Sequence, residues 1–145
     1  MRIGIASDHR GYNLKEQIKE KMKDCEIIDF GTNSTESIDY TDYAFPLSEA
    51  VRDQKVDYGV AICGSGIGMS IACNKVKGVR CARVVSKEEA KVTRIDNNSN
   101  VVAFGESIPL EEAIEIVETF VTTPFSTEER HHRRVNKIIA YEESH

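Results

Sequence analysis

Three short stretches of this 145-residue chain carry side chains whose types and spacing suit chemistry. The first is Ser7-Asp8-His9-Arg10-Gly11. A carboxylate beside an imidazole can orient and polarise hydroxyl groups. The plainer use of the same residues is capping, since Asp8 or Ser7 would suit the start of a following helix, with His9 merely exposed. The second stretch is Cys63-Gly64-Ser65-Gly66-Ile67-Gly68. Glycines let successive backbone N–H groups turn inward, and the start of a helix adds positive potential. Such a loop suits an anion, or an oxyanion that forms during reaction. The same field would favour Cys63 as its thiolate. A tight strand-to-helix turn is the plainer alternative, but three glycines between 64 and 68 exceed what a turn requires. The third stretch is Arg130-His131-His132-Arg133-Arg134. At about 100° per residue, Arg130, Arg133, Arg134 and Lys137 share one helical face, opposite Val135, Ile138 and Ile139. Arg130 and Arg134, one turn apart, could hold one phosphate from two sides. A solvated basic face paired with Glu128, Glu129, Glu142 and Glu143 is the alternative.

Familiar readings of the glycine loop fail on spacing. A dinucleotide fingerprint G-x-G-x-x-G would need glycine at Met69, and would follow the first strand, where Ser7-Asp8-His9 stands. A P-loop needs Gly-Lys-Ser/Thr, which is absent. A cysteine phosphatase would need arginine at Met69. No metal site is expected. Cys25, Cys63, Cys73 and Cys81 lie far apart with no C-x-x-C pair, and His131 and His132, adjacent on a helix, point apart. Cys25, Cys73 and Cys81 read as small core hydrophobes in a reducing cytoplasm.

These stretches need elements to position them. Apolar, β-branched runs predict strands at 2–7, 26–30, 56–63, 79–85 and 100–104. Helical periodicity predicts helices at 12–23, 43–52, 67–75, 86–95, 109–121 and 127–143. Ser86 with Glu89 three residues on is a capping-box signature. Alternating strands and helices predict one α/β domain over residues 1–145. It is a three-layer α/β/α Rossmann-like domain, with a five-stranded parallel sheet and a charged C-terminal helix. Ser7–Gly11 and the glycine loop both follow strands, which is where open α/β sheets bind ligands. A flavodoxin-like strand order would bring those two together. The net charge of −5 argues against a nucleic-acid surface. No run reaches the roughly 18 apolar residues of a membrane span. Without a signal-peptide pattern, a cytoplasmic location is expected.

Taken together, the segments resemble the type B ribose-5-phosphate isomerases, within the wider family that includes bacterial galactose-6-phosphate and allose-6-phosphate isomerases. The resemblance runs over nearly the whole chain. It includes residues 3–11, Asp29-Phe30-Gly31-Thr32, Asp39-Tyr40, residues 62–68, Ala72-Cys73-Asn74-Lys75, residues 97–105 and residues 130–134. It implies a phosphosugar aldose–ketose isomerase that interconverts ribose 5-phosphate and ribulose 5-phosphate, in the pentose phosphate pathway, with no metal or organic cofactor. Cys63 would be the base that moves a proton between C1 and C2. Gly64, Ser65, Gly66, Ile67 and Gly68 would hold the enediolate oxygen, with Ser65 beside the thiol. Asp8, His9, Tyr40 and Asn97 would contact the sugar, and Arg130 and Arg134 the phosphate.

Two positions depart from that pattern. Asp96 stands where relatives carry a ring-opening histidine, and an aspartate is ionised at neutral pH and a poor acid there. Either burial raises its pKa, or Asp96 serves only as base or hydrogen-bond acceptor, or another group opens the ring, His9 being the nearest by role. Ser107 stands where relatives often carry a phosphate-side arginine. A sibling isomerase of allose 6-phosphate, galactose 6-phosphate or a free aldose is therefore an alternative, as is a non-catalytic phosphosugar sensor. Asp96 and Asn97 precede strand five, at the opposite edge of the sheet from Cys63. A homodimer that shares its site between subunits is the expectation.

Overall fold

Five runs of small and β-branched residues form the sheet in a computed structural model that describes residues 1–145. β1 (Arg2–Ser7), β2 (Glu26–Asp29), β3 (Tyr58–Cys63), β4 (Cys81–Arg83) and β5 (Val101–Gly105) pair in parallel throughout. The helices are α1 (Tyr12–Lys21), α2 (Thr41–Arg52), α3 (Ile67–Cys73), α4 (Lys87–Asn97), α5 (Leu110–Thr122) and α6 (Glu129–Ser144). Across the sheet the order is β2-β1-β3-β5-β4. β1 and β3 are neighbours, as the sequence argument requires, but the flavodoxin-like order fails beyond them because β5 sits between β3 and β4. Burial explains the swap. Every residue of β5 is buried and none of the three in β4 is, so β5 takes the interior and β4 the edge. The strand expected at 79–85 is correspondingly cut short. Its outer side is bracketed by the Asn74 side-chain amide, which donates to the Cys81 carbonyl at 2.9 Å and accepts the Cys81 N–H at 2.8 Å.

Period-two alternation splits β3 between two cores. Val60 and Ile62 join Ile5, Leu14, Ile18, Phe104, Ile116 and Phe120 under α1 and α5. Ala61 and Cys63 join Leu47, Met69, Cys73 and Ala103 under α2 and α3. These are the three layers expected. No helix is long and apolar enough to cross a membrane. The capping box at α4 forms with one change: Ser86 Oγ accepts the Glu89 N–H at 3.2 Å, while Glu89 returns to the Val85 N–H at 2.7 Å.

Two expectations need correction. Cys25 is exposed, because β2 is a short outer strand and its entry turn faces solvent. On α6, Ile138 is 46% exposed, whereas His131 and Val135 are the residues that pack inward. The helix rests on α4 near its own start, so its inner stripe runs through 131 and 135 and leaves Ile138 outside.

Candidate active site

The carboxyl edge of the sheet gathers the first two stretches. β1 ends at Ser7 and β3 at Cys63, and the Asp8 N–H donates to the Ile62 carbonyl at 3.1 Å. Asp8 Oδ1 accepts the N–H groups of Arg10 at 3.0 Å and Gly11 at 2.9 Å, so it does cap the turn into α1. His9 is not simply exposed. Its Nδ1 accepts the Ile38 N–H at 3.3 Å and ties the 31–40 connection over this edge. That connection delivers Tyr40, whose ring lies against Gly68; a β-carbon there would come within 2.9 Å of it.

Cys63 is 4% exposed and its sulfur accepts the Gly66 N–H at 3.1 Å. Gly66 holds a φ of +81°, and a β-carbon on it would sit 2.7 Å from the Phe104 Cα. Only glycine allows this loop to lie so close to β5 while its N–H points back at the thiol. The Ser65 hydroxyl accepts the Ile67 N–H at 3.1 Å, and the Ser65 carbonyl accepts from Arg83 Nε at 3.1 Å. Ser65 and Gly68, both partly open to solvent, have N–H groups with no protein acceptor. One backbone donor therefore faces the sulfur, and two more in the same loop are unspent. Cys73 and Cys81 pair with each other elsewhere in the core: the hydrogen bond from Cys73 and burial push the Cys81 thiol up, while the hydrogen bond from Cys81 draws Cys73 down.

The remaining candidates lie at the other edge. Asn97 closes α4, its carbonyl accepting from Arg80 Nε at 3.1 Å just before β4. Asp96 Oδ1 lies 3.6 Å from His131 Nε2 on α6. Arg130 pairs with its neighbour Glu128, and Arg134 is exposed. β3 alone separates the two edges by about 17 Å, at about 3.3 Å per residue. Asp8, His9, Tyr40, Cys63 and residues 64–68 are thus assembled within one chain. Asp96, Asn97, Arg130 and Arg134 form a second group that does not reach Cys63 in that chain.

Two features escaped the sequence reading. Arg10 lies over Gly64 and pairs with Glu106 at 3.1 Å, joining the ends of β1 and β5 across the loop. The Glu106 N–H in turn donates to the Cys63 carbonyl at 2.9 Å. Arg94, 5% exposed, donates to the carbonyls of Ser99 at 2.7 Å and Thr123 at 3.0 Å, and it lines a cleft of about 470 Å³ with Tyr58, Arg80 and Asn100. Burial lowers the pKa of both Arg80 and Arg94. Arg80 donates to the Asn97 and Asn98 carbonyls, and Arg94 to Asn98, Ser99 and Thr123, so this cleft braces the Asn97 turn and ties it to the end of α5.

A cysteine at the end of an inner strand, followed by a loop with free N–H groups, is an arrangement able to accommodate negative charge. Comparison with known proteins identifies the family. Residues 3–138 match the Ribose/Galactose Isomerase family model. A putative sugar phosphate isomerase of Bacillus subtilis is 48% identical, over 99% of this chain and 98% of its own. The ribose-5-phosphate isomerase B of Clostridium thermocellum superposes with a TM-score of 0.94 at 44% identity, over 99% of both chains. That of Mycoplasma genitalium, solved with bound ribulose-5-phosphate, gives 0.92 at 40% identity, over 99% of this chain and 97% of its own. The chain belongs to the ribose/galactose isomerase family and is an isomerase.

Proposed function

We propose that this chain interconverts D-ribose 5-phosphate and D-ribulose 5-phosphate through an enediolate, with Cys63 as the base and no metal or organic cofactor. The observation that carries the reading is the Gly66 N–H held 3.1 Å from the Cys63 sulfur. It gives the sulfur a fixed backbone donor, while the N–H groups of Ser65 and Gly68 are spare. In the open-chain aldose, the Cys63 thiolate removes the proton from C2. The C2 electron pair forms the C1–C2 double bond, and O1 becomes the oxyanion. Cys63 then returns the proton to C1 as the C2 hydroxyl becomes the ketone and its proton moves to O1. In the enediolate the negative charge sits on oxygen, where fixed backbone donors act without reorganising; one such donor is typically worth about a hundredfold or more in rate. Asp8, His9 and Tyr40 meet the sugar hydroxyls.

The phosphate and the far end of the sugar are handled by Asn97, Arg130 and Arg134 of a second copy, with Asp96 beside them. Their distance from Cys63 within one chain supports this. So do the exposed apolar side chains on two packed helices: Ile67 and Ile71, 52% and 57% exposed one turn apart on α3, and Phe45 on α2, 40% exposed. Exposed apolar residues on α3, the helix that the glycine loop opens, suit a homodimer interface.

A sibling sugar phosphate remains the second reading, because Ser107 is exposed and offers no cation at a phosphate-side position. Comparing kcat/KM for ribose 5-phosphate, allose 6-phosphate and galactose 6-phosphate tests both. Ribose 5-phosphate is expected to lead; a hexose phosphate in the lead would transfer the assignment to the sibling. Binding without turnover of any of them would make the protein a sensor.

A further inference from the structure

Asp96 sits in the last turn of α4, where the helix dipole disfavours a carboxylate. Its side chain is 45% exposed, so burial does not explain it. Behind it stands His131, with a side chain only 10% exposed, its Nε2 at 3.6 Å from Asp96 Oδ1. The other ring nitrogen, Nδ1, is fully buried and has no hydrogen-bond partner. Such an imidazole carries its hydrogen on Nε2, toward the carboxylate, because a buried lone pair costs less than a buried unpaired N–H. The 3.6 Å spacing is about half an ångström beyond a hydrogen bond, as working pairs often stand before substrate arrives. His131 is too deeply placed to meet a sugar, and Asp96 is not.

We propose that Asp96 and His131 act as one unit in opening the furanose ring, with Asp96 touching the sugar and His131 as the positioning residue that holds it. This rests on the isomerase reading above and deepens it. The carboxylate accepts the proton of the anomeric hydroxyl. The C1–O1 double bond forms as the C1–O4 bond breaks, and the same proton is returned from the Asp96 carboxyl to O4. No proton has to be stored on Asp96 beforehand. What the step does require is a carboxylate fixed in place, because an error of about 1 Å can cost about a hundredfold. The His131 N–H supplies that fixation from a second helix.

Ribulose 5-phosphate separates this step from the proton transfer at Cys63, since its only free hydroxyls cannot close a furanose ring. The experiment measures two rates in one set of enzymes: conversion of ribose 5-phosphate, and exchange of the C1 hydrogen of ribulose 5-phosphate in deuterated water. His131→Leu is expected to lower conversion about tenfold to a hundredfold and to leave exchange within about twofold. Conversion by this variant should also stop rising with added enzyme, once spontaneous ring opening limits the supply. His131→Gln, whose Nε2 takes the place of the imidazole Nε2, should recover most of the loss. In an Asp96→Asn background, replacing His131 should add nothing further. Equal losses in conversion and exchange, unchanged conversion, or additive losses would each overturn the proposal. Should His131→Leu fail to fold, the Gln variant together with Asp96→Asn, at a half-exposed helix end, carries the same comparison. A parent protein that neither converts nor exchanges would instead bring down the isomerase reading itself.

Discussion

Gly66 concentrates the account's structural demands in one residue, and Gly66→Ala tests them. Its φ of +81° costs an alanine about 1–2 kcal/mol. The new methyl would also meet the Phe104 backbone, at 2.7 Å from Cα, 2.8 Å from C and 3.0 Å from N. Phe104 is fully buried and paired with Ile62 in the middle of the sheet, so the loop must move instead. Overpacking of this kind costs about 1–3 kcal/mol. The sum is about 2–5 kcal/mol, or roughly 6–20 °C in Tm for a chain of this length, at fixed protein concentration. Loop movement would also withdraw the N–H now 3.1 Å from the Cys63 sulfur, so kcat should fall by about a hundredfold. Gly78→Ala is the matched control. Its φ is +86°, but the nearest atom to a new methyl is Arg52 Cγ at 3.6 Å. It should show the strain alone, about 1–2 kcal/mol, with kcat unchanged. Urea unfolding and steady-state kinetics on both variants suffice. Equal losses of stability at the two sites, or parental kcat in Gly66→Ala, would refute the reasoning.

Arg134→Ala should raise KM for ribose 5-phosphate by about tenfold with little change in kcat, and the effect should vanish for an unphosphorylated sugar. Mixing inactive Cys63→Ala with inactive Asn97→Ala subunits should restore about a quarter of parental activity, since random pairing gives each mixed dimer one intact site; no recovery after demonstrated exchange would place the whole site in one subunit. Lys15, fully buried, bonds Asp29 at 2.6 Å and Glu16 at 2.8 Å. Burial alone would raise the Asp29 carboxyl, but Lys15, Lys19 and the Gly31 N–H outweigh it and hold it below the ordinary 3.8. The stability this confers is complete above that value and lost as pH falls through the lowered one. Lys15→Met should cost about 1–3 kcal/mol and move the acid unfolding transition to higher pH, as urea unfolding at stepped pH will show.

The site's two halves differ in how much of each could be read from residues alone. The Cys63–Gly68 loop was legible because its meaning is local: an apolar strand, then glycines, then a helix. The opposition of Asn97 to Cys63 was legible from connectivity, since a segment between a helix and the next parallel strand must lie at the amino edge. The place of β5 inside β4 was not. That order depends on which strand buries more surface against both layers, and the seven-residue apolar run at 79–85 gave no sign that only three residues would pair. His131 was missed for a related reason. The arginines around it marked the face that seeks solvent, while its own burial arises from α6 lying on α4, a contact between elements distant in sequence. The ties made by His9 to Ile38 and by Arg10 to Glu106 likewise join separate loops, and no local pattern announces them.

The central claim is that Cys63 moves a proton on a phosphorylated sugar. Deuterium incorporation at C1 of ribulose 5-phosphate, followed by NMR in deuterated water, reads that step without ring opening. The parent protein should incorporate deuterium at a rate comparable to turnover. Cys63→Ala should bind the same sugar and incorporate none above the uncatalysed rate. Exchange that persists in Cys63→Ala would contradict the account and require another base.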